Sequence, residues 1–375
     1  LAGGVQTIVD VISFEDALGK TNGERRHLLL GNGFSIALFP ERFTYRSLLE
    51  EAKEEGFFEA YPELQKAFEI LKTTDFEVVL QALSRMRRLL HLYVDSPDPV
   101  AKIADHVEHL KEGLVGAIAG KHPARLGEIS ERQFTAARTF LAKFAARSLK
   151  NRGCIYTLNY DLLLYWTLMH DPRPVWDGTK LIPPEDALYL ASDDGFRAPD
   201  DDYDAPYVAW DVDGGSNTQN VHFLHGGLHL YDAGSELQKI CWERSGGIPL
   251  MDQIRDALDQ DRYPLFVSEG NADSKQARIL HSGYLTRSFK SFAAICQKRT
   301  TNLFVYGHSL AESDNHILRL IEEGCCPALF VSLYGDPANS DNMAMVQRAE
   351  ALAGARAKYK LDVFFFDAES AHVWG

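Results

Sequence analysis

The chain reads as an α/β protein, a mainly parallel sheet flanked by helices, with a large helical insertion after the first strand. Three observations predict this class. Short apolar runs without alternation, as expected of strands covered on both faces, recur at residues 28–30, 153–161, 220–227, 264–270, 302–309, 328–336 and 362–367. Several end in Gly, Ser, Asn or Asp, and helical patterns separate most of the later ones, as right-handed crossovers in a parallel sheet require. Between the first run and the second, residues 45–149 carry helical periodicity almost throughout.

Taken in order, residues 1–26 open with an amphipathic set, Val9, Val11, Ile12, Phe14 and Leu18, followed by the polar turn KTNGERR. This predicts an N-terminal helix packed on the core. Leu28, Leu29 and Leu30 form the first strand and run into Gly31 and Gly33, which let the backbone turn tightly and bring its N–H groups close to a ligand. A helix beginning near Ser35 would add free N–H groups and a dipole that attract a pyrophosphate. Without the third glycine of the dinucleotide fingerprint, a G-x-G is more often an ordinary βα turn, so its meaning depends on partners elsewhere.

In residues 47–71 apolar side chains recur at threes and fours, and Phe76, Val79, Leu80, Leu83 and Met86 mark one helical stripe, capped by Thr74 or Asp75. Helices follow over 100–119 and 130–148, separated by the breaker GKHPARLGE. Residues 171–219 are acidic and Pro-rich, with the core SDDGFRAPDDDYDAPYVAWDVDGG, and read as a solvated loop or lid. Clustered carboxylates suit a hard cation, but the string does not follow calcium-loop spacing.

Composition bounds the function. The 375 residues can bury a large core, and 45% hydrophobic with 25% charged residues is ordinary for a soluble globular protein. A formal charge of −14 works against a general nucleic-acid surface and favours a small ligand or a protein partner. Cys154, Cys241, Cys296, Cys325 and Cys326 form no C-x-x-C pair, which argues against a disulfide framework and a zinc knuckle. No apolar run is long enough to span a bilayer, and no basic region precedes the first apolar residues, so a cytoplasmic protein is expected.

Three strand ends carry the candidate chemistry: T-L-N-Y-D at 157–161, L-H-G-G at 224–227 and Y-G-H-S-L-A-E-S-D-N-H-I at 306–317. Ligands of parallel sheets sit at the carboxyl ends of the strands, so these residues converge on one cleft. Asn159 and Asp161 can hold a water and a ribose hydroxyl; equally, Asn159 could cap the helix that starts at Asp161. His225 is expected to be exposed enough to act as a base, since imidazole titrates near neutrality at about 6.5. His222, His225 and His229 do not suggest a metal cluster, because strand residues three apart point to opposite faces. Gly307 and Ser309 could receive a second nucleotide moiety anchored by Asp314; the alternative is a plain N-capped helix running from Ser309 or Ser313 to Leu320.

In this order the segments resemble the sirtuin-like NAD-hydrolase domains of bacterial antiphage systems. The resemblance rests on G-N-G-F-S at 31–35, T-L-N-Y-D at 157–161, L-H-G at 224–226 and G-H-S-x-x-x-S-D-x-H-I at 307–317. It extends to D-F-E at 75–77 and to V-S-E-G…K…I…Y-L at 267–285, features of an uncharacterised branch of that group. It implies a Rossmann-like NAD-binding domain over 1–44 and 150–375, interrupted by the helical insertion at 45–149. It also implies roles: Gly31, Asn32, Gly33 and Ser35 along the NAD pyrophosphate and nearby ribose, Asn159 positioning the attacking water or nicotinamide ribose, Asp161 supporting it, His225 as general base, and Gly307, Ser309 and Asp314 around the adenosine half. NAD is then a substrate and no metal is expected. Sirtuin deacylases carry two C-x-x-C pairs after the histidine, whereas only Cys241 stands in that region here, which favours hydrolysis of free NAD over protein deacylation. A non-catalytic subunit that senses NAD or ADP-ribose is the main alternative. The resemblance further implies an abortive-infection role, a homo-oligomer, and a partner such as a translocase-type ATPase or a short Argonaute.

Overall fold

The computed structural model describes residues 9–90, 92–176, 179–199, 202, 204–211, 218–241 and 247–375. Seven strands form one sheet: β1 (Val11–Ile12), β2 (Arg25–Leu30), β3 (Ile155–Thr157), β4 (Val221–Phe223), β5 (Thr301–Tyr306), β6 (Ala328–Leu333) and β7 (Asp362–Asp367). Their spatial order is β1-β7-β6-β5-β2-β3-β4, and every neighbouring pair is parallel. Setting aside the edge strand β1, this is the 3-2-1-4-5-6 order of a Rossmann-like doubly wound sheet. The winding reverses between β2 and β5, where Leu30 and Tyr306 are Cα partners.

Both faces are covered, which is why the strands read as continuous apolar runs. Leu28, Phe304, Phe330 and Phe364 stand in register; Phe304 stacks on Phe330 at 4.3 Å between ring centroids and meets Phe144 at 5.3 Å. Phe144 belongs to the helix Glu131–Ala145. In the alternate register Tyr156 meets Phe292 of the helix Gly283–Cys296, ring to ring at 5.0 Å. Leu28, Leu29 and Leu30 are fully buried between these layers.

Several expectations are corrected. The predicted N-terminal helix is an edge strand followed by a short helix, Phe14–Gly19, which begins where the Ser13 hydroxyl accepts the Asp16 N–H. β-branched Val11 and Ile12 favour pairing, with Phe365 and Phe366. The run at 264–270 joins no ladder. It crosses the end of β4, with Leu265 O taking the Gly227 N–H and His225 O taking the Val267 N–H, and forms only an isolated bridge between Gly226 and Phe266. The segment 171–219, expected as a loop, contributes strands where it is described. Phe196–Arg197 and Tyr207–Trp210 lie in an antiparallel sheet with Leu237–Ile240 and Leu230–Asp232, and Val175–Trp176 pairs with Leu181–Ile182. Residues 177–178, 200–201, 203 and 212–217 of that segment lie outside the described residues.

The insertion is helical as read, with Tyr45–Glu54, Phe57–Ala60, Pro62–Leu71, Phe76–Leu90 and Asp98–Lys121 preceding Glu131–Ala145. Left-handed Gly56, at φ 72°, and Pro62 break what the sequence pattern suggests is a single run. Asp75 caps its helix by accepting the Glu77 N–H at 2.8 Å. Phe76, Val79, Leu80 and Leu83 are buried, whereas Met86 lies on the exposed side. Among the described residues no helix is long and apolar enough to cross a membrane.

The glycine turn after β2 is closed by backbone, not by side chains. Gly31 N–H donates to Tyr306 O at 2.9 Å and Gly33 N–H to Gly307 O at 2.8 Å, while Gly307 itself sits at φ 68°. A Cβ at Gly33 would stand 2.5 Å from the Gly307 Cα. The following helix, Gly33–Ile36, is a single turn, and Asn32 turns its amide to Phe43 O at 2.8 Å. Hence the dipole expected at Ser35 is small, and two of the turn's N–H groups already have partners. Gly33→Ala is expected to destabilise the protein by about 3 kcal/mol through a backbone clash with no flexible atom to yield. Gly116→Ala, in an exposed helix position with open space around it, is expected to stabilise by about 0.5–1 kcal/mol. Urea denaturation of the two variants measures both.

Candidate functional site

Four loops leave the carboxyl ends of β2, β3, β4 and β5 on both sides of the winding reversal, and they bring most of the predicted residues together. Ser35 is wholly buried; its Oγ donates to Asp161 Oδ2 at 2.6 Å and accepts from Asn159 Nδ2 at 3.1 Å. Asp161 Oδ1 takes the N–H of Leu163, the first residue of the helix Leu163–Met169, at 2.9 Å, so Asp161 and not Asn159 closes the turn into that helix, whose N-cap position is Leu162. Thr157 Oγ1 fixes the Asn159 backbone. Asn159 Oδ1 therefore remains an acceptor for a ligand hydroxyl or a water. Burial raises the Asp161 carboxyl above its ordinary range, with the Ser35 hydrogen bond opposing.

His225 is only 2% exposed, contrary to the expectation of an open histidine. Its Nε2 lies 3.0 Å from His316 Nε2, so one ring donates and the other accepts, and the two rings stack at 5.1 Å. Tyr160, between Asn159 and Asp161, stacks on His225 at 6.3 Å and donates its hydroxyl to Val267 O. Burial first, and Lys275 second, push the His225 imidazole well below 6.5, so it is neutral at pH 7.

Asp314, expected to anchor a ligand beside Gly307 and Ser309, bonds the residue between them, His308, and is enclosed in an ionic network that reaches His225 at 3.9 Å. The fully buried Lys275 ammonium lies 2.8 Å from Asp314 Oδ1 and 2.9 Å from Glu77 Oε1, and His308 Nε2 is 2.9 Å from Asp314 Oδ2. Burial alone would raise the Asp314 carboxyl, but Lys275 and the His308 hydrogen bond hold it well below its usual range. Gly307 N–H is bound by Ser332 Oγ, and Ser309 is exposed with its carbonyl on Arg348.

His225, Asp314 and His316 could each offer one ligand atom to a cation, all within 4.8 Å. The donor set suits a transition ion, yet Asp314 Oδ1 already faces the Lys275 ammonium, so an ion would compete with a fixed positive charge. The group fits a metal poorly. His222 stands apart, stacked on Tyr156 at 4.9 Å and bonded to Ser291, and His229 stacks on Tyr165 at 4.7 Å.

Sequence reasoning assigned no role to Glu77, Lys275, His308, His316 or Tyr160, although all lie inside the motifs. Glu77 and Lys275 are separated by 198 positions, and no periodicity links them. His122, from the breaker between two insertion helices, was also missed. It accepts the Leu162 N–H on Nε2 at 3.1 Å and contacts Pro123 O through Nδ1 at 2.9 Å, which fixes the neutral Nδ1–H tautomer and ties the insertion to the residue after Asp161.

Removing the ammonium with Lys275→Met is expected to cost about 3–5 kcal/mol, because Glu77 and Asp314 are left buried and uncompensated. Adding Asp314→Asn should recover part of that loss, and urea titration of both variants measures it. A pH dependence follows from the buried imidazoles. Burial lowers His122 and His316 to about 4 and His27 and His222 to about 3. The unfolded chain therefore takes up protons first: stability is complete above about pH 6.5 and falls as pH drops towards 4, by up to about 1.4 kcal/mol per pH unit for each histidine. Urea midpoints between pH 7.5 and 4.5 should show this fall, with a shallower slope in His122→Gln.

The profile of one family, described as Domain of unknown function (DUF4917), matches residues 28–374. No curated protein matches the chain. The match begins within β2 and runs past β7, so it takes in the insertion, the sheet apart from β1 and the start of β2, and every site residue named above. The chain belongs to the DUF4917 family.

Proposed function

We propose that this protein is a sirtuin-like NAD glycohydrolase, cleaving NAD to nicotinamide and ADP-ribose and depleting NAD in an abortive-infection response to phage. The observation that carries the reading is that Asn159 and His225 follow the neighbouring strands β3 and β4 at the carboxyl edge of a Rossmann-like sheet, with Tyr160, the residue after Asn159, stacked on His225. The electron pair of the N-glycosidic bond leaves with the pyridinium ring, which departs as neutral nicotinamide, and the ribose becomes an oxocarbenium-like centre. Asn159 Oδ1 orients the attacking water or a ribose hydroxyl, held in place by Ser35 and Asp161. Neutral His225 takes the water's proton, and ionised Asp314 at 3.9 Å stabilises the imidazolium that results. So electrophilic a centre needs only a weak base, which a buried imidazole supplies; placed dipoles and a positioned water do the rest without a metal. Gly31, Asn32 and Gly33 serve the pyrophosphate chiefly by their close approach, and Gly307 and Ser309 face the adenosine half.

Such an activity requires restraint in an uninfected cell. A homo-oligomer, assembled with a translocase-type ATPase or a short Argonaute, follows from analogy with similar systems. One feature favours the second reading, a subunit that binds NAD or ADP-ribose without turnover: the His225 imidazole is enclosed and its Nε2 engaged by His316.

Chromatography of NAD incubated with the assembled, triggered protein should show nicotinamide and ADP-ribose in equal amounts. His225→Ala and Asn159→Ala are each expected to lower the rate on the order of 10²- to 10⁴-fold. Intact NAD under those conditions would overturn the hydrolase reading, and calorimetric binding without product would establish the sensor.

A further inference from the structure

A cleft of about 1000 Å³ opens away from the strand ends, between the helix Leu163–Met169 and the antiparallel sheet. Tyr165, Trp166 and Met169 contribute one apolar wall, and Phe196 and Val208 another. In a chain of charge −14, six cationic side chains line it against three carboxylates. Two of these acids are already matched: Asp193 lies 2.7 Å from Arg197, and Asp194 lies 2.5 Å from Lys239. Arg125 and Arg173 pair with Asp252 and Glu131.

Arg147 and Arg152 differ from the other four. Among the described residues neither has a carboxylate partner; Arg147 Nε donates to Leu190 O at 3.0 Å and Arg152 Nη1 to Arg147 O at 3.3 Å. Backbone carbonyls of Leu190 and Arg147 thus anchor the two exposed side chains at the cleft, and the rest of their N–H donors face solvent. A guanidinium fork matches the oxygens of a phosphate. The volume stands at the upper end of small-molecule sites, about 300–1000 Å³, and exceeds what a lone phosphate fills.

We infer that this cleft is a second ligand site, separate from the strand-end site, that takes a nucleotide-sized phosphate ester, with the phosphates on Arg147 and Arg152 and a flat apolar body against the Trp166 wall. The assignment stands whether or not the strand-end site cleaves NAD.

Calorimetry with ADP, adenosine and inorganic pyrophosphate on the full chain tests it. ADP is expected to bind, adenosine and pyrophosphate each at least about tenfold more weakly, and Arg147→Glu with Arg152→Glu to weaken ADP at least about tenfold. Circular dichroism confirms that the double variant folds, and Arg147→Gln with Arg152→Gln gives a milder second test. The inference is overturned if ADP gives no binding up to millimolar concentration or if the arginine variants bind it as well as the parent.

Discussion

The buried ammonium of Lys275 is the interaction on which the rest of the site depends. It stands between a carboxylate of the insertion, Glu77, and one that follows β5, Asp314. Two acids brought into a low-dielectric interior repel each other and lose hydration, so their proximity is tolerable only with a cation fixed between them. That cation keeps Asp314 ionised, Asp314 aligns His308 and faces His225, and His225 stacks between His316 and Tyr160. The insertion is therefore part of the strand-end site and not an appendage, since one of its residues completes the charge balance there.

The two halves of the site differ in kind. Around Ser35, Asn159 and Asp161 the contacts are hydrogen bonds among polar groups, and nearly every donor is directed by a neighbour. Around His225 the contacts are ring stacking and ion pairing in the absence of bulk water. A ligand that spans both meets a directional half, suited to hydroxyls, and an electrostatic half, suited to charge that develops during bond breaking. This division matches the proposed chemistry, in which the ribose hydroxyls are held and charge develops at the anomeric carbon.

Much of the sheet was legible because strands covered on both faces must be apolar throughout; DVFFFD was read with its observed boundaries at Asp362–Asp367. Runs of the same composition can serve other ends, as at 264–270, where the chain covers the end of β4 and pairs with loop backbone. The acidic segment was misread because Asp193 and Asp194 have partners, Arg197 and Lys239, that turn apparent surface charge into local ion pairs. Asn159 and His225 were legible as strand-end residues. The burial of His225 was not, since it depends on His316, 91 positions away. Nor could the pairing of Glu77 with Lys275 be read, because an isolated lysine in a helical pattern looks like any solvated one until its partner is known.

The approach of Gly33 to Gly307 has a mechanical consequence. Side-chain contacts can loosen by changing rotamer, but two main chains in van der Waals contact, joined by the Gly33 hydrogen bond, have no such freedom. The loops after β2 and β5 are thereby clamped as one rigid jaw. Any opening that admits a ligand to the crevice must be carried by the elements facing that jaw, the insertion helices and the chain around His225.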